Sequence, residues 1–271
     1  MEMKPGEAVS VALPPTLGRN SPPTLSGFDY RIAIIGEAFG RDEAVRNEPF
    51  VGMSERFMNA CLAKAGICRE ACYIGNVCPV QPRDNNLANF AWSGPEIQGG
   101  IELLKRELSD FKPNLILCFG NTALHLFKEG NVSPKLRVTQ RVPFYIFPNS
   151  IDSWRGSLFT SHENSPYPGT KCLSSYHPAA CLRQYDWTPI LIFDMKRAAK
   201  EGRTAELVFP KRNLIIDTNA NDIVTRLLKL KEKKQLVSCD IEGGLSGIPC
   251  ISFSTTPDEA FIVPFRHSNG L

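Results

Sequence analysis

A three-layer α/β/α fold with a mainly parallel central sheet is what the sequence predicts, on three observations. Short apolar or β-branched runs recur at residues 31 to 35, 72 to 76, 114 to 119 and 172 to 175. Several of them end on a glycine or on one polar residue. Helical stretches separate them, near 54 to 65, 95 to 109, 121 to 128 and 188 to 201, which is the pattern of repeated βα units. Taken in order, the first 27 residues are rich in Pro, Ser and Gly, lack an Arg-rich amphipathic pattern, and read as a flexible arm. Arg31-Ile32-Ala33-Ile34-Ile35 is a buried strand that delivers an acidic, glycine-rich segment to its carboxyl end, where open α/β sheets place their sites. Leu115 to Phe119 closes on Gly120 and Asn121, a strand followed by a helix cap. Another strand is predicted at 143 to 147, and residues 149 to 169 read as a long loop. A helix from about 220 to 233 precedes a last strand around Asp240. Residues 28 to 202 thus suit one full domain, and 203 to 271 a linker with a fragment.

Composition narrows the class. Among 271 residues, 42% are hydrophobic, enough for a core, and no run approaches the length of a membrane span, so membrane insertion is excluded. A net charge of +3 allows a nucleic-acid partner without demanding one. Nine cysteines without a secretory leader fit a reducing, cytoplasmic compartment. Lys196, Arg197, Lys200 and Arg203 lie near helical spacing, and Lys229, Lys231, Lys233 and Lys234 crowd a later helix. Either group meets phosphates or is simply a solvated face.

Three strand ends carry the polar residues. The first is Gly36-Glu37-Ala38-Phe39-Gly40, followed by Asp42, Glu43 and Pro49-Phe50-Val51-Gly52. The second is Tyr73-Ile74-Gly75-Asn76-Val77, and the third Ser174-Ser175-Tyr176-His177-Pro178 with Leu182-Arg183 behind it. A dinucleotide or nucleoside-triphosphate site is disfavoured, because the glycine segment lacks a third fingerprint glycine and no Lys-Ser or Lys-Thr follows. Together the three segments resemble the uracil-DNA glycosylase superfamily, specifically its family-four type, over roughly residues 28 to 200. The resemblance places Glu37 at the first-motif glutamate, Glu43 at a second acidic position, Phe50 at the aromatic that stacks on the base, Asn76 at the reader of the base edge, and His177 at the second motif.

The implied chemistry explains these residue types. A glycosylase flips the nucleotide out of the stack and holds the base by stacking and edge hydrogen bonds. Asn76 offers both a donor and an acceptor, which match the imide N–H and adjacent carbonyl of uracil and mismatch cytosine. As the glycosidic bond breaks, charge collects on the departing base and the sugar takes oxocarbenium character. His177 is the candidate donor to the base, and Glu37 or Glu43 the carboxylate that stabilises the cation or orients water. Backbone N–H groups around Gly40 are candidates for binding a phosphate or the base. The expected partner is DNA containing uracil. Residues 149 to 169 are then a lid, a DNA-contacting insertion or an ordinary surface loop. The contrasting reading is a non-catalytic DNA-binding, polymerase-accessory module that keeps the fold and the base pocket.

Two departures stand out. Phe39 replaces the family's proline, which frees a backbone donor and adds a bulky side chain, expected at the pocket mouth. Most family members also hold an iron-sulfur cluster through four cysteines, two ahead of the first motif and others after the Asn segment. Here no cysteine precedes Cys61, and residues 96 to 108 contain none, so the cluster is predicted absent. Cys61, Cys68, Cys72 and Cys78, at spacings of seven, four and six, leave an unusual metal site open but lack the short-spaced pairs of a zinc site, and read as reduced thiols of a core.

Near the end, Leu236-Val237-Ser238-Cys239-Asp240-Ile241-Glu242 is a strand pattern that sets Asp240 and Glu242 on one face, where two carboxylates can share a divalent metal. With Gly243-Gly244-Leu245, residues 248 to 254 and residues 257 to 264, it resembles the opening of the ribonuclease H-like 3'-5' exonuclease domain of family-A DNA polymerases. The resemblance implies magnesium at Asp240 and Glu242 only in a complete domain, whose other acidic motifs would lie downstream. Residues 203 to 271 are therefore expected to be an incomplete exonuclease segment without activity of its own, from the front of a phage-type polymerase or a split reading frame. The rest of such a polymerase is an expected partner.

Overall fold

The computed structural model describes residues 18–209, 211–216, 219–233, 236–244 and 247–265. The chain forms two compact units, one up to Leu207 and one from Val208. In the first unit the elements are β1 (Ile32–Ala38), α1 (Arg41–Arg46), α2 (Met53–Lys64), β2 (Tyr73–Cys78), α3 (Pro95–Phe111), β3 (Leu115–Phe119), α4 (Gly120–Lys128), β4 (Lys135–Thr139), β5 (Val142–Ile146), α5 (Ile151–Trp154), β6 (Leu158–Thr160), β7 (Lys171–Ser175), α6 (Pro178–Arg183) and α7 (Thr188–Glu201). The central sheet has the order β2-β1-β3-β7-β6 and is parallel except for β6.

Alternation along β1 and β3 builds a core on each face. Ile32, Ile34, Leu115 and Leu117 point toward Met58 and Leu62 of α2 and Leu191 and Met195 of α7. Ala33, Ile35, Ile116 and Cys118 point the other way, toward Leu104 and Leu108 of α3 and Leu124 and Phe127 of α4. This is the three-layer α/β/α arrangement the sequence predicts, and each buried Leu or Ile stabilises it by about 1.5–3 kcal/mol. The third layer shows why the sequence specifies it. Pro95 occupies the first turn of α3, Lys112 closes it in the left-handed conformation, and Ile97, Ile101, Leu104 and Leu108 repeat on one helical face.

Three expectations need correction. The strand expected at 143 to 147 exists as β5, over Val142–Ile146, but it pairs with β4 in a separate antiparallel hairpin and not in the central sheet. Residues 149 to 169 are not a featureless loop: they contain α5 and β6, and β6 pairs antiparallel with β7, Leu158 opposite Leu173. The arm is also shorter than read. Residues 1 to 17 lie outside the described residues, but Gly18 N–H donates to Pro79 O, Ser21 and Ile74 exchange backbone hydrogen bonds, and Thr24 N–H donates to Glu70 O. Asn20 is buried there, its amide donating to Tyr73 Oη at 2.7 Å and to Glu107 Oε2 at 2.8 Å. At the other end, buried Lys171 donates to Glu201, Thr204 and the Glu206 carbonyl, so the start of the expected linker belongs to this unit.

The second unit holds β8 (Asn213–Ile216), α8 (Ala220–Lys233), β9 (Ser238–Gly244), β10 (Gly247–Thr256) and β11 (Glu259–Pro264), with sheet order β8-β11-β10-β9. Phe261 stacks on Phe253 with ring centroids 5.1 Å apart. Asp240 and Glu242 lie on the edge strand β9, opposite Ser252 and Cys250, and both are exposed. Among the described residues no helix is long and apolar enough to cross a membrane.

Candidate active site

A cavity of about 590 Å³ opens at the carboxyl ends of β1, β3 and β7. Glu37, Gly40, Glu43, Phe119, His177 and Arg183 line it, so the first and third motifs meet as expected. Glu37 is the penultimate residue of β1, and its Oε2 accepts a 2.6 Å hydrogen bond from Thr122 Oγ1, a buried hydroxyl in the first turn of α4. Glu43 is oriented otherwise. Its Oε2 accepts from Gly40 N–H at 2.5 Å, closing the first turn of α1. Burial raises its pKa, and the Gly40 hydrogen bond works against that rise. Gly40 N–H is therefore already satisfied by Glu43, which corrects the expectation that it faces a phosphate or a base.

His177 caps α6. Its Nδ1 accepts from Ala179 N–H at 3.2 Å, so the neutral ring carries its proton on Nε2. Burial, with the Arg183 guanidinium adding to it, pushes its pKa down to about 4. The ring is uncharged at neutral pH, and its Nε2–H is free to donate.

Asn76 and Phe50 stand behind the cavity wall. Neither lines the cavity; Asn76 is 1% and Phe50 2% exposed. Phe50 has φ of 54°, an unusual conformation for a bulky side chain, and its ring lies 5.7 Å from that of His177 at 20° and 6.4 Å from Phe119. Asn76 is the register partner of Gly36 on β1, and its Nδ2 has no hydrogen-bond partner. A Cβ on Gly36 would sit 2.3 Å from Asn76 Oδ1 and 2.6 Å from Phe50 Cζ. Only glycine permits this approach, and it holds the amide beside the ring.

Other residues at the site escaped the sequence reading. Thr122 lies 85 positions from Glu37 and carries no local signal. Tyr176 stacks on Trp187 with centroids 4.2 Å apart, and its hydroxyl pairs with Asp152; all three line the cavity. The proximity of Tyr176 to His177 in the third motif was the only available hint.

Phe39 is among the residues that line the cavity, as expected, but its ring is buried against Gly18, and its freed N–H donates to Cys78 O at 3.2 Å. The same region fails to fit a four-cysteine cluster. No cysteine precedes Cys61 in the chain, Gly100 has Val77 O where a side chain would project, and the Cys78 thiol, pushed up to about 12 by burial, is turned to Val80 O. Nor do the four clustered cysteines form a site of their own. Cys61, Cys68 and Cys72 belong to one core and Cys78 to the opposite one, and among the described residues no group of three or more His, Cys, Asp or Glu is placed to hold a metal.

The carboxyl ends of the parallel strands thus bring close together a clamped carboxylate, an uncharged imidazole, a buried aromatic ring and an unpaired amide. The chain belongs to the uracil DNA glycosylase superfamily, whose family model matches residues 22–201. It is 29% identical over 163 residues to a type-4 uracil-DNA glycosylase of Archaeoglobus fulgidus, covering 60% of this chain and 72% of that one. It is 30% identical over 181 residues to a type-4 uracil-DNA glycosylase of Thermotoga maritima, covering 64% and 81%. The family match stops short of the second unit.

Proposed function

We propose that the first unit excises uracil from DNA by hydrolysing its N-glycosidic bond. The observation that carries this reading is the buried Asn76 amide with an unpartnered Nδ2, set beside the Phe50 ring and near an imidazole fixed as an Nε2–H donor. Because Phe50 and Asn76 stand behind the cavity wall, the His177 side of that wall has to shift as the base enters. A flipped uracil then stacks on Phe50, donates its imide N–H to Asn76 Oδ1 and accepts from Nδ2 through the neighbouring carbonyl. His177 Nε2–H donates to the other base oxygen, where negative charge collects as the bond to the sugar breaks. Glu37, held by Thr122, faces the developing oxocarbenium ion and directs the attacking water; Glu43 supports the turn that carries it. No step needs an iron-sulfur cluster, and the residues present do not fit one.

The purified chain should cut a single-uracil oligonucleotide in EDTA, revealed as strand scission after alkali, with no gain from magnesium. Binding of the same oligonucleotide without release of uracil would instead favour the accessory-module reading. Thr122→Val should lower kcat about tenfold, because Glu37 then has no fixed orientation. An unchanged kcat would mean that Thr122 does not set the working position of Glu37.

For the second unit we propose no nuclease activity of its own. Asp240 and Glu242 are exposed on an edge strand with no third acidic partner among the described residues. The link to a DNA polymerase rests on the sequence resemblance alone.

A further inference from the structure

The β4–β5 hairpin has no part in the chemistry above, yet its composition is one-sided. Residues 130 to 151 contain no Asp or Glu, while Lys135, Arg137 and Arg141 are all exposed and make no ion pair among the described residues. In the strand register Arg137 lies opposite Phe144 and Lys135 opposite Ile146, so both cations share a face with an aromatic ring that is 40% exposed. The other face anchors the hairpin: Tyr145 Oη donates to Phe90 O at 2.6 Å, its ring packs edge-on against Trp92, and Asn86 Nδ2 donates to Pro143 O at 2.7 Å. Phe144 and Tyr145 border a cleft of about 260 Å³ that shares Glu37, Asn85 and Phe147 with the catalytic cavity.

We propose that this hairpin face is a track for the DNA strand flanking the target nucleotide: Lys135 and Arg137 neutralise phosphates, Arg141 reaches the backbone from the tip, and Phe144 stacks on a base next to the flipped one. The proposal rests on the glycosylase reading for its substrate. Unpaired cations beside an exposed ring are the combination that binds single-stranded nucleic acid, cations for the backbone and the ring for the bases. The cleft beside Phe144 shares Glu37 and Asn85 with the cavity, so track and target adjoin.

The test compares the full-length protein with the triple variant Lys135→Gln, Arg137→Gln, Arg141→Gln and with Phe144→Ala. Binding of a uracil-containing oligonucleotide is followed by fluorescence anisotropy across a salt series, and folding is checked by circular dichroism. The triple variant should flatten the log Kd against log salt slope by about two, at roughly 0.7–0.9 per phosphate contact. Phe144→Ala should weaken binding about tenfold at fixed salt, the size of one lost base stack. The control Lys105→Gln, Arg106→Gln, on a helix that borders neither cavity, should leave the slope unchanged. Unchanged slope and affinity in both hairpin variants overturn the track, even when the unaltered protein excises uracil. Reduced slope without excision by the unaltered protein upholds the track and overturns the enzymatic reading. Absence of DNA binding by the unaltered protein overturns both.

Discussion

Asn76→Ala should lower uracil excision by about 10³-fold or more, some 4 kcal/mol, while leaving the melting temperature unchanged or slightly raised. A buried polar residue normally behaves the other way, because its removal breaks hydrogen bonds that support the fold. Here the Nδ2 has no partner, and an unsatisfied buried amide costs about 1–3 kcal/mol in the folded protein. Truncation removes that penalty and, against it, loses the packing of a small side chain. The two changes are of similar size, so stability barely moves while the base loses its reader. Single-turnover excision with calorimetry on the same preparation checks both halves. A fall of many degrees in melting temperature with excision intact would make Asn76 a structural residue.

His177→Asn should reduce excision by about 10²–10³-fold, the loss expected for one donor to a developing oxyanion. Asparagine is also a good helix cap, so the substitution preserves the hydrogen bond to Ala179 N–H and the start of α6. His177→Ala loses both roles, and the difference in stability between the two variants, about 1 kcal/mol, isolates the cap from the chemistry. The pH dependence follows from the depressed pKa. The folded protein holds this ring neutral down to about pH 4, whereas an unfolded chain protonates it near 6.5. As pH falls from about 6.5 to 4, the unfolded state takes up a proton that the folded state does not, so the native state loses stability across that window. Above it, the group adds no pH dependence. Excision by the folded protein should show no inflection near pH 6.5 arising from His177; a limb there that vanishes in His177→Asn would mean that the ring titrates normally.

Much of this site was legible in the sequence, and the failures have physical causes. β1 and β3 are short, buried and apolar, which local composition reports well, and the motifs behind them put Glu37 and His177 at the cavity, with Asn76 behind its wall. β6 has only three residues in a stretch rich in Ser and Gly, and it exists because β7 offers it an edge. Propensity carries no record of that partner. β5 has strand character in its sequence, but whether it joins the main sheet or a hairpin is decided by β4, a strand not expected at all. The burial of the Phe39 ring and the partner of Gly40 N–H were missed for a related reason. The room for the Phe39 ring is made by Gly18, and the partner of Gly40 N–H is a side chain three residues on that the resemblance assigned to chemistry.

The segment from Gly18 to Leu25 bears on solubility. β2 is an outer strand of the central sheet, and an outer strand presents unpaired N–H and C=O groups to any other chain that can supply a strand. Ser21 occupies that position beside Ile74, with Gly18 and Thr24 tied down on either side, so the flank that would template aggregation is covered by the chain's own leading segment. A shortened protein beginning at residue 28 would keep every motif of the site and expose this edge, and its first fault would be self-association and not loss of chemistry.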